Sequence, residues 1–267
     1  MPLWHLLLLA LVQGVTEFLP ISSSGHLVLL PALTGLEDQG TFLDVAVHVG
    51  SLGAVVLYFR ADVARALRGT AGLTRRRWGP DERLAAGLAV ATVPVLVAGL
   101  ALEALVGVEA LRSVALIGWT TLVFGLLLGA CDRWGRHDRT EADWTLRHAL
   151  ALGLWQAVAL IPGTSRSGIV ITGARALGYR RGDAARLSML MSIPTILASG
   201  AALSTGLALD GQGAALARDG AIAAALAFAS ALAALALMMR LLRTVSFMPY
   251  VVYRVVLGIA LLAWAYS

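Results

Sequence analysis

Apolar runs of about 18–23 residues, parted by short arginine-bearing stretches, recur along this chain. They restrict the folds open to it more than any other feature. Six are clear: 42–59, 84–106, 111–131, 187–208, 221–242 and 248–266. At a rise of roughly 1.5 Å per residue each is long enough for the ~30 Å hydrocarbon core of a bilayer. Backbone polar groups have no water there, so such runs are expected to be helices. Composition agrees, with 58% hydrophobic and 14% charged residues and a mean hydropathy of +0.79. An ordinary soluble domain is about a quarter charged. The 28 glycines suit close helix approach in lipid. The reading is an all-α polytopic membrane protein, with residues 1–267 forming one integral membrane domain.

Two segments, 3–33 and 149–178, do not fit the pattern. Each has two short apolar arms around a middle rich in Gly, Pro and Ser. Arms of ~10 residues cannot span, but they can enter, turn and leave on one side. Both are expected to be re-entrant helix–loop–helix hairpins, in addition to six transmembrane helices. The arginines support this count. Those from Arg60 to Arg83, Arg133 to Arg147, Arg175 to Arg186, and Arg240 and Arg243 then share one face, cytoplasmic by the positive-inside rule. Arg112 and Arg218 are the exceptions. One hairpin and three spans fill about 1–131, and another hairpin and three spans fill 149–266. Three is odd, so the halves are expected to be an inverted-topology repeat. A shift of 143 positions places Gln13 on Gln156, Ser22 on Ser165, Ser24 on Ser167 and Gly25 on Gly168. Such repeats place a site near the midplane, here where the two hairpin tips meet.

The formal net charge of +5 comes from arginine alone, because the sequence has no lysine. Its distribution in short loops fits topology and not nucleic acid. No cleavable signal is expected at the N-terminus. The single cysteine, Cys131, excludes an internal disulfide.

The tips hold the chemistry. In "PGTSRSG", Pro162 to Gly168, Ser165 is a candidate N-cap for the second arm. A helix N-terminus with Thr164, Ser165, Ser167 and Arg166 beside it is equipped to hold phosphate. In "ISSSGH", Ile21 to His26, Ser22 to Ser24 can cap the other hairpin's second arm. Glu17 lies before that break, Gln13 one turn earlier on the same face, and His26 just after it. Hydroxyl, imidazole and carboxylate suit a nucleophile with its general base, or a carboxylate holding a divalent cation on phosphate. Asp44 and His48 sit one turn apart on the next span, with His48 a further candidate ligand. Arg254, in the last span, is expected to snorkel toward water.

With "QGVTEFLPISSSGH" and "PGTSRSG" in place, the chain resembles the undecaprenyl-diphosphate phosphatases of the bacitracin-resistance type. "FLDVAVHVGSLGAVVLYF" and "SFMPYVVYRVVLG" extend the likeness over nearly the whole chain. The resemblance implies a bacterial inner-membrane enzyme with a site facing the periplasm. It would hydrolyse undecaprenyl diphosphate to undecaprenyl phosphate and inorganic phosphate, recycling the carrier lipid for the cell wall. Glu17, Ser23, His26, Ser165, Arg166 and Ser167 match the family's active-site positions. Ser23 is the expected nucleophile and His26 its base; His26 itself, or water, are the variants. Arg166 would act on the phosphates, with Gln13, Ser22, Ser24 and Thr164 as further phosphate-binding candidates. The implied cofactor is Mg²⁺ or Ca²⁺ on Glu17, with Gln13 and His48 as further ligands. Expected partners are the prenyl diphosphate, membrane lipids and a second copy of the chain, with no nucleic acid. Where the family often has a first glutamate, this chain has Gln13, which cannot act as a base. The rival class is a transporter or flippase of a phosphorylated lipid. An acid-phosphatase-like lipid phosphatase would need a histidine where Thr172 stands.

Overall fold

The structure, a computed structural model, describes residues 3–35, 40–105, 107, 111, 113–210 and 213–267; the side chains of 24, 28, 31–34, 41, 202–210 and 213–216 lie outside the description. Within it the chain forms helices and turns, with no β-strand among the described residues. In chain order the helices are α1 Leu3–Phe18, α2 Ser23–Thr34, α3 Gly40–Tyr58, α4 Arg60–Thr74, α5 Pro80–Leu105 and α6 Val114–Trp134. They continue as α7 Leu146–Ala157, α8 Arg166–Ala176, α9 Arg181–Asp210, α10 Gly213–Leu241 and α11 Met248–Tyr266. Hydroxyl caps set several starts. Ser113 accepts from the Leu116 N–H at 3.1 Å and Thr145 from the His148 N–H at 3.2 Å.

Among the described residues, five helices are long and apolar enough to cross a membrane: α5, α6, α9 over Arg181–Ala201, α10 over Ala217–Leu241, and α11. A sixth is counted when α3 and α4, bent by 88°, are taken together. The segment after the first span differs from its sequence reading as a loop: Arg60–Thr74 is α4, turned sharply off α3 at Phe59. Asp62 in its first turn favours the helix start. Gly69 lets α4 lie against the start of α5, where a Cβ would stand 2.0 Å from the Asp81 carbonyl oxygen.

The breaks after α1 and α7 lie between packed layers. α1 packs on α10 through Gly14, and α7 packs on α5 through Gly153, where side chains would meet the partner backbone. α3 packs on α9 and on α10, and α6 packs on α11. One apolar cluster gathers around α8 and α9, with Ile169, Val170, Leu187 and Leu190 buried. A second joins α1, α2, α3 and α10 through Leu6, Leu9, Leu27, Leu43, Val47 and Ala227.

The arginine-rich face is held by carboxylates. Asp132, 2% exposed, accepts from Arg175 Nε at 2.9 Å, Arg181 Nε at 2.8 Å and the Phe247 N–H at 3.3 Å. That one side chain ties the ends of α6 and α8 to the starts of α9 and α11. Asp62 and Glu141 form a second hub. Arg65 Nη1 reaches them at 3.3 and 2.7 Å, and Arg186 bonds both, Glu141 at 2.8 Å.

Removing Asp132 would leave the Arg175 guanidinium, 1% exposed, without its counter-ion. Asp132→Ala is expected to destabilise the protein by about 3–5 kcal/mol. Arg181→Ala, at a side chain 37% exposed, is expected to have a much smaller effect. Thermal unfolding of the two variants in detergent checks the ranking.

Candidate active site

The second break is built on α6. After Ile161 the chain turns through Gly163 at φ +85°, where a Cβ would stand 2.2 Å from Thr120 Oγ1 and 2.7 Å from the Ile117 carbonyl oxygen. Only glycine meets both the conformation and the space. Thr120 Oγ1 donates to the Pro162 carbonyl at 2.6 Å, and Thr121 Oγ1 to that of Gly163 at 3.3 Å. Ser165 then caps α8, accepting from the Gly168 N–H at 3.1 Å, and does so at φ 71°. A non-glycine residue there stores on the order of 1–3 kcal/mol, and such strain gathers at sites.

The first break repeats this geometry. Ser22 sits at φ 76° and accepts from the Gly25 N–H at 3.3 Å. The two tips touch: a Cβ on Gly25 would lie 3.7 Å from Gly163 Cα. Ser167 Oγ donates across to the Leu19 carbonyl at 3.0 Å.

Arg254 joins the tips from a third direction. The sequence suggests that it snorkels; instead it is 0% exposed. Its side chain faces backbone oxygens of the two breaks and of α6, so these take the place of water. Nη1 donates to Thr164 O at 2.9 Å and Pro20 O at 3.3 Å. Nη2 donates to Gly163 O at 3.1 Å and Thr120 O at 3.4 Å, and Nε to Thr121 O at 3.1 Å.

At this junction Glu17, only 6% exposed, collects four groups. Oε2 accepts from Gln13 Nε2 at 2.9 Å and from Ser23 Oγ at 2.6 Å, and His48 Nε2 stands 3.8 Å away. Oε1 accepts from Arg166 Nη2, a bond between the two tips. Ser23 is thus paired with Glu17 and not with His26, as the sequence reading had it. His26 gives its Nδ1–H to the Ser22 carbonyl at 2.6 Å, and its Nε2 receives the Tyr253 hydroxyl at 2.6 Å. His48 gives its Nδ1–H to the Asp44 carbonyl at 2.7 Å, which turns Nε2 to Glu17. Ser165 and Ser167 hydroxyls lie 3.2 Å apart. The Ser24 side chain lies outside the described residues.

Three buried polar atoms of these tips have no hydrogen-bond partner among the described residues: Arg166 Nη1, Thr164 Oγ1 and Gln13 Oε1. The first two are donors, which an anion would satisfy. Among the described residues no three His, Cys, Asp or Glu side chains come together as a metal site. Glu17 and the unpartnered Gln13 Oε1 nevertheless offer oxygen donors. That set fits a hard cation that takes one carboxylate and completes its shell with phosphate oxygens and water.

Sequence reasoning missed Tyr253, Thr120, Thr121 and the role of Arg254. An arginine inside an apolar span was the available signal for the last. Nothing in the pattern indicated that its neighbour Tyr253 would reach back to His26.

Five helices able to cross a membrane, or six with the bent pair, make this a multi-pass membrane protein, with a buried carboxylate, hydroxyls and an arginine where two helix breaks meet. The chain belongs to the family described as bacitracin resistance protein BacA, whose model matches residues 6–260. It is 65% identical over 268 residues to the undecaprenyl-diphosphatase of Ruegeria pomeroyi, covering all of both chains. It is 63% identical to that of Dinoroseobacter shibae and 60% identical to that of a Jannaschia species, again over the full length of each.

Gly163→Ala is expected to destabilise the fold by roughly 1–3 kcal/mol, through both backbone conformation and overpacking. Gly182→Ala, with nothing within 4 Å of its Cβ, is expected to be neutral or slightly stabilising. Melting temperatures of the pair in one detergent make the comparison.

Proposed function

We propose that this chain is an undecaprenyl-diphosphatase, a membrane enzyme that hydrolyses undecaprenyl diphosphate to undecaprenyl phosphate and inorganic phosphate for reuse in cell-wall synthesis. The observation that carries the reading is the Glu17–Arg166 junction. Carboxylate and guanidinium come from different helix breaks, and buried donors beside them lack partners.

In this reading both breaks are re-entrant hairpins, and 1–131 and 149–266 are inverted repeats. The shared left-handed caps at Ser22 and Ser165 support it, as does the matched packing of α1 on α10 and α7 on α5. The arginine-rich face lies in the cytoplasm of a bacterial inner membrane, and the site opens toward the periplasm.

The diphosphate enters between the tips. Arg166, Thr164 and the α8 N-terminus at Ser165 and Ser167 hold phosphate oxygens and stabilise charge in the transition state. Ser22 and Ser24 line the other tip. Glu17, with Gln13 and His48, would hold a divalent cation, Mg²⁺ or Ca²⁺, whose charge when bound offsets that of the phosphates. Ser23 Oγ attacks the terminal phosphorus and passes its proton to Glu17 Oε2, the acceptor it already bonds. The bond from that phosphorus to the bridging oxygen breaks, and undecaprenyl phosphate leaves on the bridging oxygen. Water then attacks the phosphoserine and gives a proton to His26 Nε2. Inorganic phosphate departs as Ser23 recovers its proton from Glu17, and His26 passes the proton it took from water to solvent.

Phosphate release from undecaprenyl diphosphate by purified protein tests the reading. Wild type is expected to turn over and to stop with chelator. Arg166→Ala is expected to lose about 100-fold or more. Wild-type rates from a folded Arg166→Ala protein contradict the assignment of the cradle. A wild-type protein that binds the lipid without releasing phosphate contradicts the enzyme and favours transport.

A further inference from the structure

Tyr253 lies outside both motifs, 227 positions from His26, yet its hydroxyl bonds that imidazole. A carbonyl oxygen can only accept, so the 2.6 Å contact of His26 Nδ1 with Ser22 O places the ring proton on Nδ1. In the neutral ring Nε2 is then a bare acceptor, and the Tyr253 hydroxyl, 2.6 Å away, donates to it. The two rings lie nearly parallel at 11°, with centroids 5.8 Å apart. One partner fixes the tautomer, the other fixes the direction of the lone pair, and the stacking fixes the plane. The next residue, Arg254, binds backbone oxygens of both tips. Consecutive residues of α11 therefore set the backbone of the site and the orientation of its imidazole.

We propose that Tyr253 is the positioning residue for His26, its hydroxyl holding the imidazole in one orientation with Nε2 an unprotonated acceptor. The inference rests on the hydrolase reading, in which His26 Nε2 receives the proton of the attacking water. Tyr253 itself touches no reacting atom. Its hydroxyl yields the lone pair to water when the phosphoserine is hydrolysed. The ring, 42% exposed, has room on its open side to turn.

Tyr253→Phe keeps the stacking ring and removes only the hydroxyl. It is expected to lower kcat for phosphate release about tenfold, a fraction of what a general base contributes. KM for the prenyl diphosphate and the melting temperature are expected to hold. Nitrogen NMR of isotope-labelled histidine in wild type is expected to show one His26 tautomer, with Nε2 a hydrogen-bonded acceptor. In Tyr253→Phe the Nε2 signal is expected to shift to that of an unbonded or tautomer-averaged ring. An unchanged kcat, an unchanged Nε2 signal, or a kcat loss that follows a lower melting temperature overturns the proposal. Absence of turnover by wild type sinks the hydrolase reading instead, and the nitrogen spectrum distinguishes that failure from a missing Tyr253–His26 contact.

Discussion

Arg254 carries the rest of the structure. Two helix breaks inside an apolar bundle leave backbone carbonyls with no water to bond, and each unsatisfied group there costs several kcal/mol. One buried guanidinium, planar and rich in donors, takes three of those oxygens, from Pro20, Gly163 and Thr164, and anchors itself on two carbonyls of α6, Thr120 and Thr121. The oxygens in turn solvate the charge, which has no carboxylate within salt-bridge distance among the described residues. Irregular backbone and buried charge each satisfy the other's need.

The Glu17–Arg166 pair follows from that arrangement. Both side chains hang from the segments that Arg254 holds, so their meeting is fixed by the backbone before any ligand arrives. Such preorganisation is what electrostatic catalysis requires. The opposite face works differently. Asp132, Asp62 and Glu141 neutralise arginines and tie helix ends together, so charge there sets architecture, while at the tips charge is left with unused donors.

Much of this was legible in the sequence. Long apolar runs locate the crossing helices because lipid demands such runs. The "PGTSRSG" and "ISSSGH" stretches locate the breaks because Pro, Gly and Ser stop one helix and cap the next. Ser165 caps α8 for that reason. Other features were hidden for physical reasons. α4 carries polar and apolar residues together, so hydropathy alone reads it as a loop. Depth along a span does not reveal which way a side chain faces, so the pattern alone points Arg254 toward water. Ser23 and Glu17 stand six positions apart across a non-helical turn. Helical spacing rules do not reach over such a break, and proximity in sequence suggests Ser23 with His26 instead. The Tyr253 contact depends on how α11 packs, which no local pattern encodes.

The central claim is that the site exists because Arg254 holds two helix breaks in one register. The most direct measurement is the rate of phosphate release by Arg254→Lys, made on protein whose helix content matches wild type. Lysine keeps the charge but cannot span five oxygens with one planar fork. The tips should then separate slightly, and misplacement by ~1 Å is enough to lower the rate about 100-fold. A folded Arg254→Lys protein with that loss supports the account. One that turns over at the wild-type rate contradicts it, because the junction of Glu17 and Arg166 would then stand without the clamp.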